Sequence, residues 1–272
     1  MRPHELAALR RKHVAIRGGG QGFLSQGQEL HFSIHPSVTF YYRTIIECSE
    51  SVKQVTRKAR RVRVVREDIR ERLLDAALAE FGANGFAGAS TRAIARRIGA
   101  HQPQINYHFA SKEALWAAAV DHLFAELARA MEGVGSARVR DGAGDVAETA
   151  TAFAEMIRRF VRFAARHPEL NRIMVHEATA ESDRVKWMTE RHVRPLYDTV
   201  RRLWRRLRKA GLAAPIDDRL LHYVLVGAAS MVYVNAPEAR LLAGIEPTAV
   251  RWVEAHADGL VATLLPNAPR TN

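Results

Sequence analysis

The sequence predicts an all-α protein, and three observations carry that prediction. Of its 272 residues, 44 are alanine, the strongest helix former. From Arg66 onward apolar residues recur at intervals of three and four, the period of a helix face. A β-prone run, Val38–Ile46 (VTFYYRTII), has no second strand pattern nearby to pair with.

The first 63 residues stand apart in composition. No alanine occurs from Ile16 to Lys58, and Gly18-Gly19-Gly20 and His35-Pro36 interrupt the chain. This stretch (1–63) carries a net charge of +8 out of +12 for the whole chain. Three readings stay open for it: a disordered basic arm, a translation start assigned too far upstream, or an arm adding phosphate contacts through Arg57, Lys58, Arg60, Arg61 and Arg63. Because most of the excess charge sits there, bulk charge says little about nucleic-acid binding by the remainder.

Residues 64–115 read as four short helical pieces. Ile69, Leu73, Ala76, Ala77 and Phe81 share one helix face, which Gly82, Asn84 and Gly85 terminate. Ser90-Thr91 starts a second helix, where a hydroxyl can accept a free backbone N–H. Its apolar stripe is Ile94, Ala95 and Ile98, and Gly99-Ala100 stops it. His101-Gln102-Pro103 opens a third helix, since proline fits a first helical turn. Ile105 and Phe109 pack inward. Ser111 caps a fourth helix starting at Lys112, with Ala114, Leu115, Ala118, Ala119, Leu123 and Leu127 as its apolar positions. Two short helices joined by a tight glycine turn form a helix-turn-helix, which presents the second helix to a DNA major groove.

Phe81-Gly82-Ala83-Asn84-Gly85-Phe86, Ser90-Thr91-Arg92-Ala93-Ile94-Ala95, Ile98-Gly99 and the run Tyr107-His108-Phe109-Ala110-Ser111-Lys112-Glu113-Ala114-Leu115 resemble the DNA-binding domain of the TetR family of transcriptional regulators. The resemblance covers residues 66–115. It implies an all-α homodimer with an N-terminal helix-turn-helix (64–115) and a larger C-terminal ligand-binding and dimerisation domain (116–272). It also implies DNA contacts at Thr91, Arg92, Gln102, Pro103, Gln104, Asn106, Tyr107 and Lys112. Thr91, Tyr107 and Lys112 match phosphate contacts, which fix register without reading sequence. Arg92 matches a position reaching base or phosphate. Gln102, Pro103 and Gln104 match the exposed start of the recognition helix, where Gln can pair with adenine and Pro can touch a thymine methyl. Asn106 departs from the family, which often carries an aromatic there. His108 is expected to pack and cap locally.

The C-terminal part reads as further helices. Phe153, Met156, Ile157, Phe160, Val161 and Ala164 form a stripe ended by His167-Pro168. Ile173, Met174 and Val175 mark a short helix. Arg138–Asp145 (RVRDGAGD) is a loop. Val193, Leu196, Val200, Leu203 and Leu207 mark an amphipathic helix, with Arg201, Arg202, Arg205, Arg206, Arg208 and Lys209 on its solvated side. The last two helices are expected over roughly 217–236 and 247–265. The first is apolar on nearly all sides and therefore expected to be buried on all sides; the resemblance pairs both with their mates across a dimer interface, near Trp252, His256 and Leu260.

The resemblance places an effector among these helices, with Phe124, Phe153, Ile157, Phe160, Trp187, Tyr197 and Tyr223 as candidate lining. His122, His176, Glu177 and His192 are candidate polar groups. This mix favours an apolar or aromatic effector.

Composition narrows the function. The single cysteine, Cys48, permits no intramolecular disulfide, and a cytoplasmic location is expected. The apolar run Leu220–Ala236 holds His222, Ser230 and Asn235 and falls short of a membrane span, so no membrane partner is expected. No apolar leader follows the first residues. Neither G-x-S-x-G, nor H-E-x-x-H, nor a phosphate-binding glycine loop occurs, so no enzyme, metal or cofactor is expected. The reading is a ligand-responsive repressor binding a near-palindromic operator as a homodimer. An activator of the same fold and a nonspecific basic DNA-binding protein are the alternatives.

Overall fold

The structure is a computed structural model that describes residues 69–135, 139 and 144–268. The extension 1–63 with its basic cluster, the start of the first helix and most of the Arg138–Asp145 loop lie outside the described residues. The described residues are helical, with no strand among them.

Helix α1 covers 69–88, but Gly85 within it takes φ +65, a conformation open to glycine, and redirects the chain. A turn closed by Ala89 N–H to Gly85 O follows. Helix α2 (Thr91–Arg97) starts on Ser90, whose Oγ accepts Ala93 N–H at 3.4 Å; Gly99 at φ +69 ends the segment. Helix α3 is Gln102–His108 and helix α4 is Lys112–Ala130. Ser111 Oγ accepts Ala114 N–H at 3.1 Å to cap α4. The predicted apolar set of α4 needs one change: Ala114 is exposed, while Trp116 and Val120 are buried. In the first turn of the helix, position 114 faces away from the bundle.

Helix α5 (Val146–Arg166), capped by Asp145, runs into α6 (Pro168–Ala178) through His167. Helix α7 (Asp183–Met188) passes through a π-helical turn, Thr189–Val193, into α8 (Arg194–Lys209). Helices α9 (Leu221–Val234), α10 (Ala236–Ala243) and α11 (Val250–Leu264) complete the chain. Helix α10 falls in a stretch where apolar spacing predicts only a connection.

Two apolar cores organise these helices. The first joins α1–α4 and draws in Phe163, Leu170, Ile173 and Met188 from α5–α7. The second joins α5, α8, α9 and α11 around Trp204, whose indole N–H donates to Ile216 O at 3.0 Å. Phe160 packs against both. Arg162 clamps Glu254 with two hydrogen bonds, of 2.8 and 2.6 Å, tying α5 to α11.

Helix α9 is not buried on all sides within one chain. Leu225, Ala229 and Tyr233 are inside, but Leu220, Tyr223, Val224 and Met231 are exposed, Tyr223 at 72%. Its apolar character all round therefore exceeds what the chain's own core covers. Among the described residues, no helix is long and apolar enough to cross a membrane.

Candidate nucleic-acid interface and ligand cavity

Short helices project the residues that matter here. Glu80, buried on α1, accepts Ser90 N–H at 3.3 Å and faces Arg97 Nη2 at 3.4 Å, so one carboxylate holds both ends of α2. Helix α3 packs on α2 through Ile105, leaving Pro103, Gln104, Asn106 and Tyr107 exposed. Arg92 is exposed and donates through Nε to Gln102 Oε1 at 2.9 Å, joining the starts of α2 and α3. Gln104 Oε1 accepts His101 N–H at 2.9 Å, a capping contact at the start of α3. Thr91 is half-buried at the first position of α2. The Tyr107 ring stands edge-on to His108 at 5.1 Å. Lys112 Nζ lies 3.4 Å from Ala87 O and 4.8 Å from the Phe86 ring centre. The Arg184 guanidinium lies 3.9 Å from the same ring, so the turn after α1 is held from two directions.

Thr91, Arg92, Gln102, Pro103, Gln104 and Lys112 thus stand in the first turns of α2, α3 and α4, while Asn106 and Tyr107 stand toward the C-terminal end of α3. Helix N-termini carry free N–H groups and partial positive charge, which suits phosphate. Gln102 and Gln104 are not free readers, because each carbonyl already accepts a hydrogen bond.

A second feature lies among α4, α5, α6, α8 and α9: a cavity with about 1030 Å³ of space between atoms, part of it open to solvent. Its wall is almost wholly apolar, with Phe124, Leu127, Met131, Met156, Phe160, Met174, Leu196, Val200 and Leu225 contributing. Polar groups are few: His167, Asn171, Tyr197, Arg201, Asp218, His222 and Ser230. Arg201 Nε donates to Asp218 Oδ2, and Arg205 faces the same carboxylate at 3.4 Å. Burial pushes the His222 imidazole below its ordinary value, so it is held neutral. Among the described residues no cluster of His, Cys, Asp and Glu could hold a metal ion.

Two family models match this chain. The model described as bacterial regulatory proteins, tetR family, matches residues 73–119, the segment holding the helix-turn-helix. A model described as tetracyclin repressor-like, C-terminal domain, matches residues 150–264. The chain belongs to the TetR family. No curated protein matches it significantly. Solved structures share the fold of this TetR-family chain. AibR, solved in complex with isovaleryl coenzyme A and operator DNA, is 20% identical with a TM-score of 0.52, covering 73% of this chain and 98% of its own. HlyIIR, a hemolysin II transcriptional regulator, is 18% identical with a TM-score of 0.52, over 74% of this chain and 98% of its own. A Clostridium perfringens protein assigned to regulation of fatty acid metabolism is 13% identical with a TM-score of 0.55, over 74% and 100%. Members of the family are transcriptional regulators, not enzymes.

Within this TetR-family fold the candidate lining residues separate. Phe124, Phe160 and Tyr197 line the cavity. Phe153 and Ile157 instead belong to the second core, Phe153 lying 5.5 Å from Trp204 between ring centres. Trp187 packs 5.6 Å from Trp116, away from the cavity. Tyr223 points to solvent, and His176 sits against the backbone of Gly85. His122 pairs with Asp75, Glu177 with Arg184, and His192 stacks on Phe124 from behind the wall. On α5 the split has one cause: its apolar stripe is wide enough to feed a core on one edge and a cavity on the other. Met156, Ala164, Leu170, Asn171, Arg201, Asp218 and His222 are lining residues that sequence reasoning missed. The i, i+4, i+8 series Met156, Phe160, Ala164 is the signal that would have found three of the wall positions.

Proposed function

We propose that this chain is a ligand-responsive repressor that binds a near-palindromic operator as a homodimer and is released by an apolar or aromatic effector. The observation that carries the reading is a set of polar side chains, most of them in the first turns of three successive short-linked helices, on a chain that also holds an apolar cavity. Residues 64–115 are assigned to DNA, and residues 116–272 to ligand and dimer. Thr91, Tyr107 and Lys112 take phosphates; Gln102, Pro103 and Gln104 face bases, Arg92 reaches a base or a phosphate, and Asn106 bonds the backbone or a base. A DNA-reading role for the two glutamines fits the amide N–H groups left over when each carbonyl accepts its hydrogen bond. The protein works in the cytoplasm, where operator and effector meet.

Dimerisation runs through α9 and α11. Tyr223, Val224, Met231, Val250 and Trp252 are exposed apolar side chains there, and an added Cβ at Gly227 or Gly259 would meet open space, leaving room for a close partner helix. Two copies would set their recognition helices about 34–36 Å apart, one turn of DNA. Because AibR was solved with both a coenzyme A thioester and its operator, both ligand types are compatible with this fold. An effector that binds the DNA-released conformation more tightly shifts the population toward it.

The test is selection of bound fragments from genomic DNA by the full chain at physiological salt, beside a Gln102→Ala/Gln104→Ala/Lys112→Ala variant. A short palindrome recovered by the parent and lost by the variant is expected. Binding with no preferred sequence would turn the assignment toward a nonspecific basic DNA-binding protein.

A further inference from the structure

The cavity has a chemistry more specific than its apolar character, and the ligand class drawn from it rests on the effector reading above. Both charged regions of its wall are internally compensated or hostile to an anion. Asp218 already accepts from Arg201, the cation of the wall, while Arg205, the second guanidinium facing it, has a side chain 58% exposed and is solvated. His167, also on the wall, lies 3.1 Å from Glu169 and 3.8 Å from Glu126. An anionic head group there would meet two carboxylates; at Arg201 it would have to displace one. Desolvating a charge with no spare partner is unfavourable.

Neutral hydrogen-bonding capacity is present instead. Asn171 is only 7% exposed, yet the hydrogen bond its amide makes is to Met231 Sδ at 3.7 Å, a weak acceptor. A buried carboxamide with so little satisfaction, opening on a cavity, is a receptor for a donor–acceptor group. His222 adds a neutral imidazole on the α9 side.

We propose that the cavity binds an uncharged, largely apolar molecule with one neutral polar group, of the class of chain alcohols, ketones or esters, and that Asn171 receives that group. The charged wall residues act as a mutually paired lining that discriminates against carboxylates of the same chain length.

The experiment uses the full chain and the fluorescent apolar probe N-phenyl-1-naphthylamine, displaced by 1-decanol or by decanoate at pH 7.5. Decanol is expected to displace the probe at a concentration roughly 10-fold or more below decanoate, the discrimination an unpaired charge imposes. Asn171→Leu is expected to retain the probe and to weaken decanol by roughly 5- to 10-fold, the size of one lost hydrogen bond in a buried site. Decanoate binding as well as decanol overturns the neutral class and leaves the effector cavity standing. Unchanged decanol affinity in Asn171→Leu overturns the role of Asn171. Should that variant fail to melt cooperatively, the alcohol-to-carboxylate ratio on the unaltered chain still decides the charge class. Absence of probe binding removes the cavity reading as a whole, while operator selection would still test the DNA reading separately.

Discussion

Gln104 makes a capping contact and is also proposed to read a base, two roles that a single truncation would confuse. Its Oε1 closes the start of α3 on His101 N–H, and its side chain is assigned to a base. Gln104→Ala therefore should lose about 0.5–1 kcal/mol of stability with the cap as well as operator affinity. Gln104→Glu keeps the accepting oxygen, so its melting temperature should stay near the parent's while its anionic tip repels DNA. A gel-shift titration beside a thermal melt separates the two, and equal melting losses in both variants would refute the capping role. Lys112→Ala should weaken every sequence alike and reduce the log–log salt slope by about one. The caps on Ser90 and Ser111 were legible in the sequence because a hydroxyl before an apolar run has a local meaning. Gln104 was half legible: H-x-x-Q follows the capping-box spacing with His in place of Ser or Thr. The Arg92–Gln102 bond was not, since its geometry depends on how α2 and α3 cross.

At the level of elements, α6 is fitted closely against α1. A Cβ at Gly82 would stand 3.0 Å from Glu169 Cβ and 3.2 Å from Glu169 Cα, so α1 and α6 touch backbone to backbone. The Glu169 backbone cannot yield as a flexible side chain would, and Gly82→Ala should be destabilising by about 1–3 kcal/mol in a urea melt. Gly88→Ala, whose Cβ would meet only Asn84 at 3.4 Å, is the control expected to stay near neutral. In the sequence Gly82 reads as a helix stop, and only the packed structure reveals the close approach. The π-helical turn Thr189–Val193 was equally hidden, because apolar spacing reports a helical period and not one inserted residue. The stripe on α5 predicted a helix correctly, but one stripe served two neighbours, which periodicity cannot divide.

For the molecule as a whole, three imidazoles set a common pH response. Burial holds His192, His222 and His256 below the ordinary value of 6.5, against opposing pulls from Asp121 on His192 and from Ala228 O on His256. Each takes up a proton less readily when folded than when unfolded, so unfolding binds protons as the pH falls through 6.5. Stability should be full above about pH 7 and decline toward pH 5, with His222→Gln flattening part of the slope. Melting curves at fixed ionic strength check this, and a flat profile would contradict it. Glu246, pulled down to about 2 by Arg240 and Thr248, sheds its contribution only in a separate window below the usual carboxylate range. Assembly gives a further check: Val224→Glu on the uncovered face of α9 should leave a 30.4 kDa species in sedimentation where the parent shows twice that mass. The apolar excess of α9 was legible in the sequence, but it read as a helix buried on all sides; the uncovered face becomes visible only once Leu225, Ala229 and Tyr233 are seen to use up the chain's own core.

The shared first core also bears on how such a protein can be re-engineered. Helix α4 runs through position 115 without a break, and Phe163, Leu170, Ile173 and Met188 finish the packing of α1–α4. A chimera that grafts residues 64–115 onto a foreign sensor would strip those four side chains from their partners and leave a sticky seam on both halves. The transplantable cassette is therefore longer than the recognisable motif, and because α5 also feeds the second core, a cut after α7 completes the first core only by opening the second.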